Sequence, residues 1–197
     1  LKQMRNKAAT YIVILLSASQ LILILLSWLI TAAYPDKTVH SLLSSEGIRW
    51  YFGRFVDNLQ TPVLVWLLLL GMAWGALDKC GIFHYQPSLY RHRLAMRLVI
   101  AEIALCIVVM LLLTAIPHAI LLNVTGHLFP GSFSASIIPV LSFMAVVAGG
   151  SFGLLSGHYQ GFSEFVDSLS EGLRHIAVLF VLYVLGAQLY ASLHFVF

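Results

Sequence analysis

The sequence predicts an all-α, polytopic transmembrane helical bundle of about five spans, and three observations predict it. Of the 197 residues, 60% are hydrophobic and only 10% are charged, against roughly 25% charged in a soluble domain. Five stretches match the roughly 20 apolar residues that a helix needs to cross hydrocarbon. No stretch alternates in the period-two manner of a transmembrane barrel strand.

The spans fall at about 10–33, 62–83, 96–117, 134–157 and 176–197, within a single membrane domain covering 1–197. The first run is too long for a signal-peptide core and has no small-residue cleavage site, so it reads as a retained helix. Basic residues set the orientation. Lys2, Arg5, Lys7, Lys79, Arg91, Arg93, Arg97 and Arg174 fall on one side, and Lys37, Arg49 and Arg54 on the other. The bias places the amino end and the 84–95 loop in the cytoplasm of a bacterial inner membrane, with the carboxyl end outside. The formal charge of +3 and pI near 9.0 therefore reflect topology, and no nucleic-acid partner is expected.

In the outer loop, Ile48, Phe52, Phe55 and Leu59 recur at helical spacing. They predict an amphipathic helix over about 44–58, N-capped by Ser45, with Glu46 in its first turn and Trp50 and Tyr51 as interfacial anchors.

The fourth span carries Ala145, Gly149, Gly153, Gly157 and Gly161 at a spacing of four. In water each interior glycine costs about 1 kcal/mol relative to alanine. In lipid, where close packing drives helix association, small residues stabilise contacts. Each step of four advances about 40° round the axis, so the five trace one slanted groove. Gly71 and Gly75 of the second span are the candidate intramolecular partner; a second copy of the chain or another membrane subunit is the rival. Gly149, Gly150 and Ser151 also permit a broken helix whose freed backbone lines a substrate path.

Polar residues inside spans are costly and invite functional readings. Glu102 is the one acid flanked by apolar residues within a span. It lies roughly 7 Å deeper than Arg97, and reads either as a proton- or ion-coupling group or as a structural partner of a basic side chain. Gln20 and Gln188 lie mid-span and suit interhelical hydrogen bonds. Glu164, Asp167 and Glu171 form an acidic helical stripe before the fifth span, a solvated cytoplasmic face or a docking surface for a basic partner. Ser168 with Glu171 reads as a capping box, and Arg174 as a partner of Glu171.

Cys80 and Cys106 have no metal-type spacing, and the eight histidines are dispersed. No paired-histidine zinc motif, glycine-rich phosphate loop or nucleophile elbow occurs. The sequence thus assigns no catalytic residue, metal ligand or cofactor, and no enzyme activity is expected. Asn123 to Thr125 matches a glycosylation sequon.

Two stretches carry a family resemblance. "VHSLLSSEGIRWYFGRFVDNLQTPVLVWLLLLGMAWGALDKCGI", residues 39–82, is similar to the segment near the amino end of the p-aminobenzoyl-glutamate transporter (AbgT) family, where an outer helix leads into a glycine-rich span. "FGLLSGHYQGFSEFVDSLSEGLRHIAVLFVLYVLGAQLYASLHF", residues 152–195, resembles a later segment of that family, in the same order. Gln188 and the Gly153–Gly157 stretch match family positions. The chain is about half the length of family members and has no counterpart of their re-entrant hairpins, nor an internal repeat. The resemblance therefore implies the scaffold side of such a transporter. Two functions follow as expectations. One is a noncatalytic scaffold or accessory subunit that packs through the glycine groove. The other is a small proton-coupled carrier that works as a homodimer through Glu102.

Overall fold

The computed structural model describes residues 2–34, 38–115 and 132–197. Lys37, the end of the predicted third span, His118, His127 and the sequon at 123–125 lie outside the described residues. Every regular element among the described residues is helical. In chain order the helices are α1 (Lys2–Ala33), α2 (Ser45–Gly53), α3 (Phe55–Leu59), α4 (Pro62–Lys79), α5 (Tyr90–Ala115), α6 (Ser132–Ser156) and α7 (Phe162–Val196), with a 3-10 turn at Ile82–His84. Five of them are long and apolar enough to cross a membrane. The chain is a multi-pass helical membrane protein.

Several boundaries differ from the sequence reading: α1 begins at Lys2 and α5 at Tyr90, ahead of the predicted 10 and 96, and three others change the reading of a residue. The amphipathic segment is two helices, because Arg54, at φ −102° and ψ 12°, interrupts it. Its N-cap is Ser44, not Ser45: Ser44 is extended, and its hydroxyl accepts the Gly47 N–H at 3.0 Å. At the other end, the acidic segment and the fifth span are one 35-residue helix. Ser168 therefore caps nothing. It lies inside α7, buried, and donates to the Phe165 carbonyl at 2.6 Å. Arg174 does pair with Glu171, at 3.2 Å on an exposed surface.

The chain divides into two compact units, one comprising Leu1–Val65 with Ala177–Phe197 and the other Trp66–Ile176. In the first, the extended stretch before α2 is fastened to α1 by Ser27, whose hydroxyl donates to Ile24 O at 2.8 Å and accepts the Leu42 N–H at 3.1 Å. Leu23, Leu42 and Val196 are its buried core, and Trp50 stacks on Phe195 with centroids 4.3 Å apart. The second unit is centred on Cys80, Ala95, Val99, Ala148, Phe152 and Tyr159.

The glycine positions decide how the second unit packs. The α6 groove is shorter than the sequence spacing suggests. Gly157 has a φ of +85° and ends the helix in the left-handed conformation glycine adopts freely, and Gly161 lies in the following turn. Ala145, Gly149 and Gly153 remain on α6, which runs unbroken through Gly149 and Gly150. Their partners are separate. Gly149 faces the backbone of Ala76 in α4, and Gly153 lies under the Tyr159 ring. Gly71 and Gly75 do not meet the α6 glycines. They face α7, where a Cβ on Gly75 would come within 2.8 Å of Gly172 Cα, and one on Gly172 within 2.6 Å of Gly75 Cα. This α4–α7 clasp explains why glycine is tolerated in the middle of α7: its absent side chain admits another backbone.

Candidate functional site

Within the second unit, α5 and α6 pack together and join one polar pair between two candidate spans. Ser151 Oγ donates to Glu102 Oε1 at 2.6 Å, a length typical of a hydroxyl bonded to a carboxyl oxygen. The other oxygen, Oε2, is buried and has no hydrogen-bond partner among the described residues. The sequence expectation of a basic partner for Glu102 is thus answered by a serine hydroxyl from the next span.

A cavity of about 630 Å³ lies between α5 and α6, closed by Leu77 and Ile82. Its α5 wall runs from Val99 to Thr114 and its α6 wall from Phe133 to Ala148. Apolar side chains dominate both walls. Thr114 carries the one hydroxyl among the described lining residues, and that hydroxyl donates to Met110 O at 2.8 Å. Cys106 and Ala145 both face this cleft. Glu102 shares a helix face with Val99 and Cys106, three and four residues away, and Ser151 follows Ala148 by three. Neither Glu102 nor Ser151 is among the residues that line the cleft.

A second, polar cavity of about 340 Å³ gathers Glu164, Asp167 and Glu171 with Lys79, His158 and Tyr159. Glu164 also accepts the Gln160 N–H at 2.8 Å, fixing the turn that precedes α7. Tyr159 is buried and donates to Ala76 O at 3.3 Å. Burial pushes its phenol above the ordinary value. His92, also buried, accepts the Gln86 N–H at Nδ1 and sets its ring edge against Phe152.

In the first unit, Gln20 Nε2 donates to Ser192 Oγ at 3.0 Å, tying α1 to α7. Asn58 Nδ2 donates to Gln188 Oε1 at 3.4 Å, tying α3 to α7. Tyr183 gives its proton to Leu59 O at 2.7 Å, so in the 2.6 Å contact with Thr61 it is the threonine that donates. The partners Ser151, Ser192, Asn58, Tyr183 and Gly172 escaped the sequence reading. Small hydroxyl and glycine residues are common in membrane helices, and only the facing residue singles them out.

No described group of three or more His, Cys, Asp or Glu side chains is placed to hold a metal ion. No family, curated protein or solved structure matches the chain.

Proposed function

We propose that the chain is a noncatalytic scaffold or accessory subunit of a transporter-like assembly in a bacterial inner membrane, with its amino end in the cytoplasm. One observation carries this reading: four polar side-chain pairs join segments that are distant in the sequence. Gln20 with Ser192, Asn58 with Gln188 and Glu102 with Ser151 each join two helices, and Thr61, just before α4, bonds Tyr183 of α7, while the large cleft between α5 and α6 offers almost no polar group to a solute. A polar cargo needs convergent donors and acceptors; a frame needs stiff helix contacts. The similarity of residues 39–82 and 152–195 to AbgT segments supports the transporter-like setting. Purification in mild detergent followed by native mass spectrometry tests it. A dimer or a stoichiometric complex is expected, and a lone monomer at every detergent concentration overturns the reading.

The unpartnered Glu102 Oε2 favours a second reading, a small proton-coupled carrier acting as a homodimer. Uptake of p-aminobenzoyl-glutamate into liposomes, driven by a pH gradient and abolished in Glu102→Gln, is its expected signature. Absent uptake in the wild-type protein removes it.

A further inference from the structure

We propose that His92 is an acid-sensitive latch: the neutral ring holds the stretch between the 3-10 turn and α5, and the protonated ring lets it go. Such a latch is compatible with either role of the chain. His92 lies in the first turn of α5 and is 6% exposed. Its Nδ1 accepts the Gln86 N–H at 3.3 Å, so the ring proton is on Nε2 and the imidazole is neutral. That bond ties residue 86 back onto the helix that follows it. Three rings pack against the imidazole. Phe152 of α6 meets it edge-on with centroids 5.7 Å apart, His158 in the turn after α6 lies at 6.2 Å, and Tyr85 lies at 6.4 Å. His158 is itself backed by the chain at Gly81, where a Cβ would fall on its ring.

Protonation reverses the bond. An imidazolium donates from both nitrogens, so its Nδ1–H faces the Gln86 N–H, donor against donor. It also places a cation among aromatic and basic neighbours. Tyr85 and His158 are the titratable groups that face the ring from outside α5, and Phe152 is apolar. On α5, Arg91 and Arg93 flank it, and the Arg91 guanidinium reaches the turn that carries His158, 3.1 Å from where a Cβ on Gly157 would stand. Cys80 and Tyr159 belong to the core that contains Phe152. Lys79, Glu164, Asp167 and Glu171 line a cavity with His158 and not with His92. A buried charge without a partner is costly, so acid favours the arrangement in which the ring turns to water and Gln86 is freed. Histidine changes charge between about pH 5 and 8. Where opening takes up one proton, each pH unit of acidification favours it by up to about tenfold.

The test is amide hydrogen exchange, read by mass spectrometry on the full chain in nanodiscs at about pH 8 and about pH 5, with each rate divided by its intrinsic rate at that pH. Peptides covering residues 84–92 report the latch, and residues 99–110 of α5 report the fold. In the wild-type protein, protection over 84–92 is expected to fall about tenfold or more in acid, while 99–110 stays protected. His92→Asn places an amide oxygen where Nδ1 stands and takes up no proton, so it is expected to keep the stretch protected at both pH values. Should that variant lose protection over 99–110 as well, His92→Phe, which keeps a flat ring against Phe152, takes its place and is expected to show no pH dependence. His158→Asn is expected to retain the wild-type response. Equal protection of the wild-type protein at the two pH values overturns the proposal, as does a pH response that survives the change at His92. Loss of the response in His158→Asn assigns it to the neighbouring ring and overturns the proposal equally.

Discussion

Gly172 of α7 lies so close to Gly71 of α4 that a Cβ on Gly172 would fall on the Gly71 carbonyl oxygen. The two helices touch backbone to backbone, and the contact separates the glycines of the clasp by what each would meet.

Gly172→Ala and Gly75→Ala drive a methyl into backbone, which cannot rotate away, whereas Gly71→Ala meets the end of the Ile176 side chain first, at 2.5 Å. The two backbone-facing substitutions are expected to destabilise by about 1–3 kcal/mol or more, as overpacking does, and Gly71→Ala by less. Thermal unfolding in a single detergent ranks the three. An equal cost for all would mean that the helices part without resistance.

Ser151→Ala strips Glu102 of its one hydrogen bond among the described residues. Interhelical hydrogen bonds in membranes average only about 0.6 kcal/mol, but orphaning a buried polar group costs about 1–3 kcal/mol, so the larger figure is expected here. Adding Glu102→Leu removes the orphan, and the double variant is expected to be more stable than Ser151→Ala alone. A double-mutant cycle in a denaturing-detergent titration measures the coupling. Strictly additive costs would show that the 2.6 Å contact contributes nothing.

Tyr159 makes the second unit sensitive to alkali. Its phenol lies above the ordinary value of 10.0 because burial disfavours the phenolate. The folded chain thus holds this proton more tightly than the unfolded chain. Its contribution is complete below the ordinary phenol range and is lost as pH rises through the raised value. A spectrophotometric tyrosine titration is expected to show a late-ionising component that is absent in Tyr159→Phe. If the titration curves of wild type and Tyr159→Phe show the same late phase, burial of this ring is not what holds its proton.

The long spans were legible because hydrophobicity over some 20 residues leaves few alternatives. Caps and partners were harder. Ser44 and Ser45 are chemically equal candidates for one cap, and the backbone angle of Ser44 decides between them. The start of α7 was hidden for a different reason. Residues 162–175 are polar enough to look like a separate cytoplasmic segment, yet no proline or turn divides them from the apolar run. Gly172, which resembles a helix-weakening residue in the sequence, is where α4 comes closest. Glu102 stood out by itself, but Ser151 did so only beside a possible helix break and not as its partner, since nothing along the chain marks which hydroxyl faces a carboxyl 49 residues away.

Gly157 and Gly161 stand four residues apart and look equivalent in sequence, yet their surroundings set them apart. Gly157 has a φ of +85°, and a Cβ there would also lie 3.1 Å from the Arg91 guanidinium. Gly161 is open, with Ser163 Oγ at 3.9 Å its nearest neighbour. Alanine at 157 must adopt a left-handed conformation that costs about 1 kcal/mol or more, whereas alanine at 161 is expected to leave stability within about 0.5 kcal/mol of wild type. If instead the two glycines formed one groove with Gly149 and Gly153, both substitutions would weaken helix packing alike. Unfolding midpoints of Gly157→Ala and Gly161→Ala distinguish these cases: a cost confined to position 157 assigns it to the turn that ends α6, and matching costs restore the longer groove.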